Sequence, residues 1–498
     1  MKKITLICFL LLLQKFLLFS QNDSLQPGWY KIPEKGKKGN IRWCLIPNEF
    51  NLPNKFSIVF GTSPRYNDTY FKNSCNSLEN YDYRTPLSYG FSHIKCPTNP
   101  SSPKYKELDS GERAALINTF GKIKNNWKEE KMPFCNDVEE LTSSWKQRLY
   151  TADNPEIDLL VWDTEKKLNN EKSILSNIKS YKEFCNELQG VSKQDYINTY
   201  KKTMTEMYNL QLKYTKNSLP GINKVSSYND VPVKRNFWGM HKTKDNWNDF
   251  FTSYDVDNKP KVYNYLHKNN SSENWTEFYS NLDFLTPSIY IFYDYKNDKN
   301  NLVGKKYLSY ILYIIELNMK FNNPNQKHKK DIIPFSWLRY HAKKDEDNIK
   351  YPIENFMAEA IPVFSILSGA DGIWHWGAVG YFDKKNKYSL EAWDYFNRGL
   401  YRLSQFNSIL ETNYILTSLE NSNINDPITL FQKNLPVWRG VVSEDETEIL
   451  VGAHNPYASK NEVINLIVSY TTSDGYKWEK SIQLFGNDIF LNKFKIKN

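Results

Sequence analysis

Several features that would place this chain in a large functional class are missing. After residue 20 no run of eighteen apolar residues occurs, and the best candidate, around Tyr307 to Leu317, carries Ser309 and Glu316; a helical membrane span is therefore not expected. The six cysteines include no Cys-x-x-Cys pair, and the seven histidines include no His-Glu-x-x-His spacing. Zinc ribbons, thioredoxin-type motifs and a catalytic metal are thereby disfavoured. Glycine is sparse, at 20 in 498 residues, and forms neither Gly-x-Gly-x-x-Gly nor Gly-x-x-x-x-Gly-Lys-Ser nor Gly-x-Ser-x-Gly. Dinucleotide and nucleotide cradles and the usual serine-hydrolase elbow are excluded on that ground, and no cofactor is expected. No repeat of fixed period is present.

What is there begins with Met1-Lys2-Lys3, an apolar stretch from Ile4 to Phe19, and Ser20-Gln21. This order of charge, apolar run and small polar residues predicts a secretory signal over residues 1–20 and an exported, extracellular or periplasmic product. Export permits one or two disulfides among Cys44, Cys75, Cys96, Cys135 and Cys185, with one thiol left over. The formal charge of +9 includes Lys2, Lys3 and Lys15, so the mature chain carries 9 − 3 = +6. Because lysines and acids are interspersed, this reads as a solvated surface, with an acidic polysaccharide as the partner it would attract and nucleic acid not expected. The 34 Tyr and 14 Trp serve either packing or the stacking of sugar rings.

Short apolar runs at Ile41 to Ile46, Phe56 to Phe60, Ile157 to Trp162, Phe284 to Phe292, Ile332 to Leu338 and Gly372 to Trp376 read as buried strands. Helical periodicity marks Ser110 to Lys131, Gln194 to Asn217, Lys305 to Phe321 and Glu354 to Leu367, and Pro64 to Pro103 reads as a long loop. Strands alternating with helices predict an α/β fold, a TIM-type (β/α) barrel over residues 21–425. Closely spaced strands from Val437 onward predict a small all-β, sandwich-like domain over residues 430–498.

Barrel chemistry sits where strands end at the C-terminal face. Ile157-Asp158-Leu159-Leu160-Val161-Trp162-Asp163-Thr164-Glu165 places two carboxylates, Asp163 and Glu165, two apart at such an end, on one side of an extended chain. Two acids held close do not both ionise easily, so one can serve as a proton donor. Asp294, after the strand expected to end at Tyr293, is a further candidate. Glu359 falls in a helix, and His375 alternates away from Trp376, which favours packing for both.

Asp163-Thr164-Glu165 is followed in order by Asn236-Phe237-Trp238-Gly239, Thr286-Pro287-Ser288-Ile289-Tyr290, Pro334-Phe335-Ser336-Trp337-Leu338-Arg339-Tyr340 and Gly369-Ala370-Asp371-Gly372-Ile373-Trp374-His375-Trp376-Gly377. Over roughly residues 155–380 this resembles the animal-type hyaluronidases, a TIM-barrel, substrate-assisted retaining class of glycoside hydrolase. The resemblance implies that Glu165 is the general acid and that Asp163 orients the substrate's N-acetyl group, whose oxygen attacks the anomeric carbon. It further implies that Tyr290 hydrogen-bonds the acetamide and that Trp376 floors the sugar pocket, with Trp238 and Asp294 as further substrate contacts. The substrate would be a polysaccharide or glycosaminoglycan containing N-acetylhexosamine. Where the family has Trp-Gly-Tyr-Tyr, this chain has Trp238-Gly239-Met240-His241. Two other readings stay open: a carbohydrate-binding or adhesion protein on the same barrel, and a two-carboxylate glycosidase using Glu165 and Asp294 without acetamide assistance.

Overall fold

The structure, a computed structural model, describes residues 26–33, 41–62, 82–118, 155–164, 171–176, 189–234, 265–267, 275–296, 302–321, 329–341, 352–377, 391–420 and 424–497. Its first half is a ring of parallel strands: β1 (Ser57–Thr62), β2 (His93–Lys95), β3 (Arg113–Asn118), β4 (Ile157–Asp163), β5 (Ile222–Ser227), β6 (Phe284–Leu285), β7 (Asp331–Ile332), β8 (Phe335–Ser336) and β9 (Gly372–Gly377). One sheet carries the order β5-β4-β3-β2-β1-β9-β8.

Backbone hydrogen bonds join the two edges of that sheet. The Asp283 N–H donates to Val225 O at 2.9 Å and the Asn229 N–H to Thr286 O at 2.9 Å, which seats β6 beside β5. β6 in turn pairs with β7 through Phe284–Asp331 and Leu285–Ile332. β7 and β8 are halves of one strand, parted at Ile333-Pro334, where proline has no N–H to give a ladder. The nine segments therefore make eight strands around a closed TIM-type barrel.

The strands alternate between two buried faces. Val59, Ala114, Leu159, Val161, Phe335 and Trp374 pack together inside the ring. Ile58, Phe60, Ala115, Leu160, Trp162 and Ile373 point outward into the helix layer. In that layer the Lys193–Ser218 helix starts at Ser192, whose Oγ accepts from the Asp195 N–H at 3.2 Å. Trp162 Nε1 donates to Thr215 Oγ1 of this helix at 2.9 Å, and Thr164 Oγ1 donates to Gln211 Oε1 at 2.9 Å. Both chain neighbours of Asp163 are thus tied to one helix. The Tyr307–Phe321, Asn355–Leu367 and Glu391–Ser404 helices cover the later strands.

From residue 414 onward antiparallel strands dominate. β10 (Tyr414–Leu416), β11 (Val437–Ser443), β12 (Glu448–His454) and β15 (Phe490–Lys495) form one antiparallel sheet, and β13 (Val463–Thr471) and β14 (Lys477–Phe485) form a hairpin. Trp438, Val442, Ile449, Val451, Val468, Tyr470, Trp478 and Ile482 fill the space between them, which makes a sandwich. β10 belongs to this sheet although it precedes residue 425. The opposite face of the sheet, with Val437, Val441, Leu450 and Leu491, shares a core with the barrel helices. Arg439 on β11 reaches Glu316 of the Tyr307–Phe321 helix at 2.5 Å, both side chains buried. Glu359 binds Arg398 at 2.5 Å and Arg402 at 2.6 Å, and Arg402 also donates to Ile489 O at 2.8 Å and to Gln26 Oε1.

Several expected elements differ. Ile41 to Ile46 holds a 3-10 turn, Trp43–Leu45, instead of a strand; Ile41 and Trp43 are apolar because they are buried, not because they pair. Ser110 to Lys131 does not begin as a helix: after a 3-10 turn capped by Asp109 and Glu112, residues 113–118 form β3, since Ala114 and Ala115 bury on opposite faces of the ring. The expected loop from Pro64 to Pro103 contains β2. The expected strand from Phe284 to Phe292 is only two residues long, because Pro287 ends its donors. No strand runs into Tyr293. Cys96 is buried with a free thiol, pushed up to about 11 by burial; Cys75, Cys135 and Cys185 and the whole of residues 1–25 lie outside the described residues.

Candidate active site

At the C-terminal ends of the strands the ring opens into a cavity of about 430 Å³. β3 brings Asn118, β4 brings Asp163 and β9 brings Trp376; Tyr228 and Asn229 follow β5, Ser288 and Tyr290 follow β6, and Trp337 and His341 follow β8. Asp163 is the acid among these lining residues and is only 7% exposed. Asn118 Nδ2 donates to Asp163 Oδ2 at 3.2 Å, so the neighbouring strand fixes one carboxylate oxygen.

The wall opposite is aromatic. Tyr290 stacks on the His341 ring at 5.7 Å with 18° between planes, and Trp337 lies 5.2 Å from Tyr290 at 56°. The Arg339 guanidinium covers the outer face of Trp337 at 3.5 Å, which holds the indole in place. The loop beneath is pinned as well: the Ser288 N–H donates to Asn229 Oδ1 at 3.2 Å, and Tyr310 Oη donates to Ser288 O at 3.0 Å. Asn229 takes a left-handed backbone (φ 55°), a conformation asparagine tolerates better than most residues. An acid, an amide and rigid rings around a half-open cavity can bind a polyhydroxylated ring by one face and its polar substituents by the edge.

Asp163, Tyr290 and Trp376 are therefore brought together, as lining residues of one cavity. Glu165 and Trp238, along with His241, lie outside the described residues. Asp294 is not among the lining residues: it sits on a surface loop, where its Oδ1 accepts from the Lys296 N–H at 2.9 Å and its carbonyl packs on Gly304. The strand expected to aim it into the barrel ends at Leu285. His375 faces the helix layer, 3.8 Å from the Trp393 ring, and burial lowers its pKa to about 3, leaving a neutral packing imidazole. Glu359 is buried in the helix layer; burial raises its pKa, and Arg398 and Arg402 outweigh that and hold it ionised.

Sequence reasoning missed Asn118, Tyr228, Trp337 and His341, and it missed Lys95. The Lys95 ammonium, at the end of β2, lies 4.1 Å from the centroid of Trp376. Burial lowers its pKa to about 7; nearby Lys104 adds to that, and the negative charge of Asp163 opposes it. Among the described residues no group of three or more His, Cys, Asp or Glu is placed to hold a metal, and no helix is long and apolar enough to cross a membrane.

No family model matches the chain, and no curated protein matches it. Among solved structures it overlaps bee venom hyaluronidase at 13% identity and a TM-score of 0.32, over 50% of this chain and 71% of that one. A family 36 α-galactosidase from Geobacillus stearothermophilus in complex with raffinose overlaps at 10% identity and 0.34, over 83% of this chain and 52% of that one. A family 51 α-L-arabinofuranosidase from Bifidobacterium longum overlaps at 9% identity and 0.31, over 90% and 97%. Overlaps this loose decide neither fold nor function, and the barrel rests on its own strand pairing.

Proposed function

We propose that this chain is a secreted glycosidase that cleaves an N-acetylhexosamine-containing glycan at the C-terminal mouth of the barrel. The observation that carries this reading is the convergence of Asp163 with Tyr290, Trp337 and Trp376 on one cavity at the strand ends. In the proposed reaction Glu165, two residues beyond Asp163, donates the proton to the leaving oxygen. Asp163, oriented by Asn118, accepts a hydrogen bond from the acetamide N–H and supports the charge that grows on it as its oxygen attacks C1. Tyr290 would hold the acetamide oxygen, and Trp376 would support the pyranose face. Asp294, the second acid of the two-carboxylate alternative, accepts from the Lys296 N–H within its own loop, which favours the acetamide-assisted reading. The apolar start of the sequence supports export.

Reducing-end release from hyaluronan, chondroitin and chitin oligosaccharides tests the reading, with purified residues 21–498 and the Glu165→Gln variant side by side. Hydrolysis by the parent and a loss of about 10²-fold to 10⁴-fold in the variant is the expected result. Silence of the parent on every glycan, with bound oligosaccharide still detectable by calorimetry, would move the assignment to a binding protein.

A further inference from the structure

Inside the ring, a lysine and a tryptophan flank a glycine. In the sheet, Gly61 on β1 is the register partner of Trp376 on β9. On its other side, Phe60 pairs with Ile94, which puts Gly61 beside Lys95 one position further along. Trp376 and Lys95 therefore flank a residue with no side chain. A Cβ at Gly61 would fall 2.1 Å from His375 O and 3.0 Å from Trp374 Nε1. The Lys95 ammonium lies over the Trp376 indole, 4.1 Å from its centroid. No hydrogen bond or ion pair of this ammonium occurs among the described residues.

We propose that Lys95 is a positioning residue of the glycosidase site: its ammonium fixes the Trp376 ring and supplies positive charge that acts on Asp163, two strands away in the same sheet. This rests on the function proposed above. Among the described residues, the groups that face Lys95 are Asp163 from β4, Lys104 from the Pro103–Lys106 turn, the adjacent Cys96 thiol and the Trp376 ring. Of these, Asp163 is the one that favours the charged ammonium most, while burial and Lys104 disfavour it. The balance sets its ionisation near neutrality, about 7. Above that point the field on Asp163 and the hold on Trp376 both weaken.

The test uses the full exported chain with 13C-labelled lysine. One Cε resonance, absent from Lys95→Arg, should titrate with a midpoint near neutral pH, and in Asp163→Asn that midpoint should fall by about one unit as the opposing charge disappears. In kinetics, the parent should lose kcat as pH rises through the same midpoint, with KM changing less. Lys95→Arg should carry the activity to higher pH, and Lys95→Met should lower it about tenfold at pH 6 and lack the limb. A midpoint indifferent to Asp163→Asn, or a Lys95→Met profile that superimposes on the parent after scaling, overturns the proposal. The resonance titration needs no substrate, so a chain that hydrolyses nothing would sink the proposed function while the Lys95–Asp163 coupling was still decided.

Discussion

The two ends of the barrel both carry charge and both enclose space, yet they treat it differently. At the N-terminal end a groove of about 640 Å³ is larger than the 430 Å³ mouth opposite, but its polar groups hold one another. His93 Nε2 meets Asp158 Oδ2 at 2.8 Å, Asn223 Nδ2 donates to the other oxygen at 2.8 Å, and Ser92 Oγ meets His93 Nδ1 at 2.8 Å. The Ile58 N–H donates to Ser92 Oγ at 2.8 Å, so the hydroxyl is held by the backbone of the ring. Lys224 pairs with Asp331 at 3.3 Å, and the Ile332 N–H donates to Asp371 at 2.9 Å. At the C-terminal end Asn118 Nδ2 donates to Asp163 Oδ2 at 3.2 Å, and the Lys95 ammonium lies 4.1 Å from the Trp376 centroid. The larger hollow is a clasp on the strand starts; the smaller one is lined by an acid, an amide and aromatic rings at the strand ends, where barrel sites sit.

Substitutions can break or sharpen this contrast. The largest effect is expected from Asp163→Asn at the mouth, a fall of about 10³-fold in kcat/KM with little change in melting temperature; near-parental turnover would remove the mouth from the chemistry. Next comes the helix layer outside both ends. Glu359→Gln strips two buried arginines of their counter-ion and should cost about 3–5 kcal/mol in denaturant unfolding, with activity per folded molecule kept. A cost below about 1 kcal/mol would show that the arginines find water.

Smaller is Asp158→Asn at the closed end, about 1–2 kcal/mol with no kinetic effect. Burial pushes the Asp158 carboxyl up, but hydrogen bonds from His93 and Asn223 outweigh it and hold it below the usual range. A depressed carboxylate contributes its stability fully above the unfolded value of about 4 and loses it as pH falls through the folded value. The stability gap between parent and variant should therefore close on acidification below about pH 4; a gap independent of pH would assign the cost to packing instead.

How much of this was legible follows from element length and composition. β4 and β9 are mostly apolar runs, broken only by Asp158 and Asp163 and by His375, and the Lys193–Ser218 helix repeats its buried side at helical spacing, so pattern reached all three. β2 is three residues inside a segment rich in serine and proline, too short to show a period, and β3 offered Ala114-Ala115-Leu116-Ile117, which suits a helix as well as a strand between two buried faces. The site was legible where an acid or ring closed a long strand, at Asp163 and Trp376. It was illegible at Lys95 and Asn118, whose strands had not been recognised, and at Trp337 and His341, whose inward aim depends on the break at Pro334.

The shared core between ring and sandwich has a practical consequence for anyone cutting the gene. A clone stopped near residue 425 would keep Glu316 and lose Arg439, would keep β10 and lose its partner strands, and would leave the apolar flank of the Asn355–Leu367 helix wet. A fragment of that kind should go to inclusion bodies, and swapping the sandwich for a foreign module should do the same. The two halves behave as a single indivisible cassette.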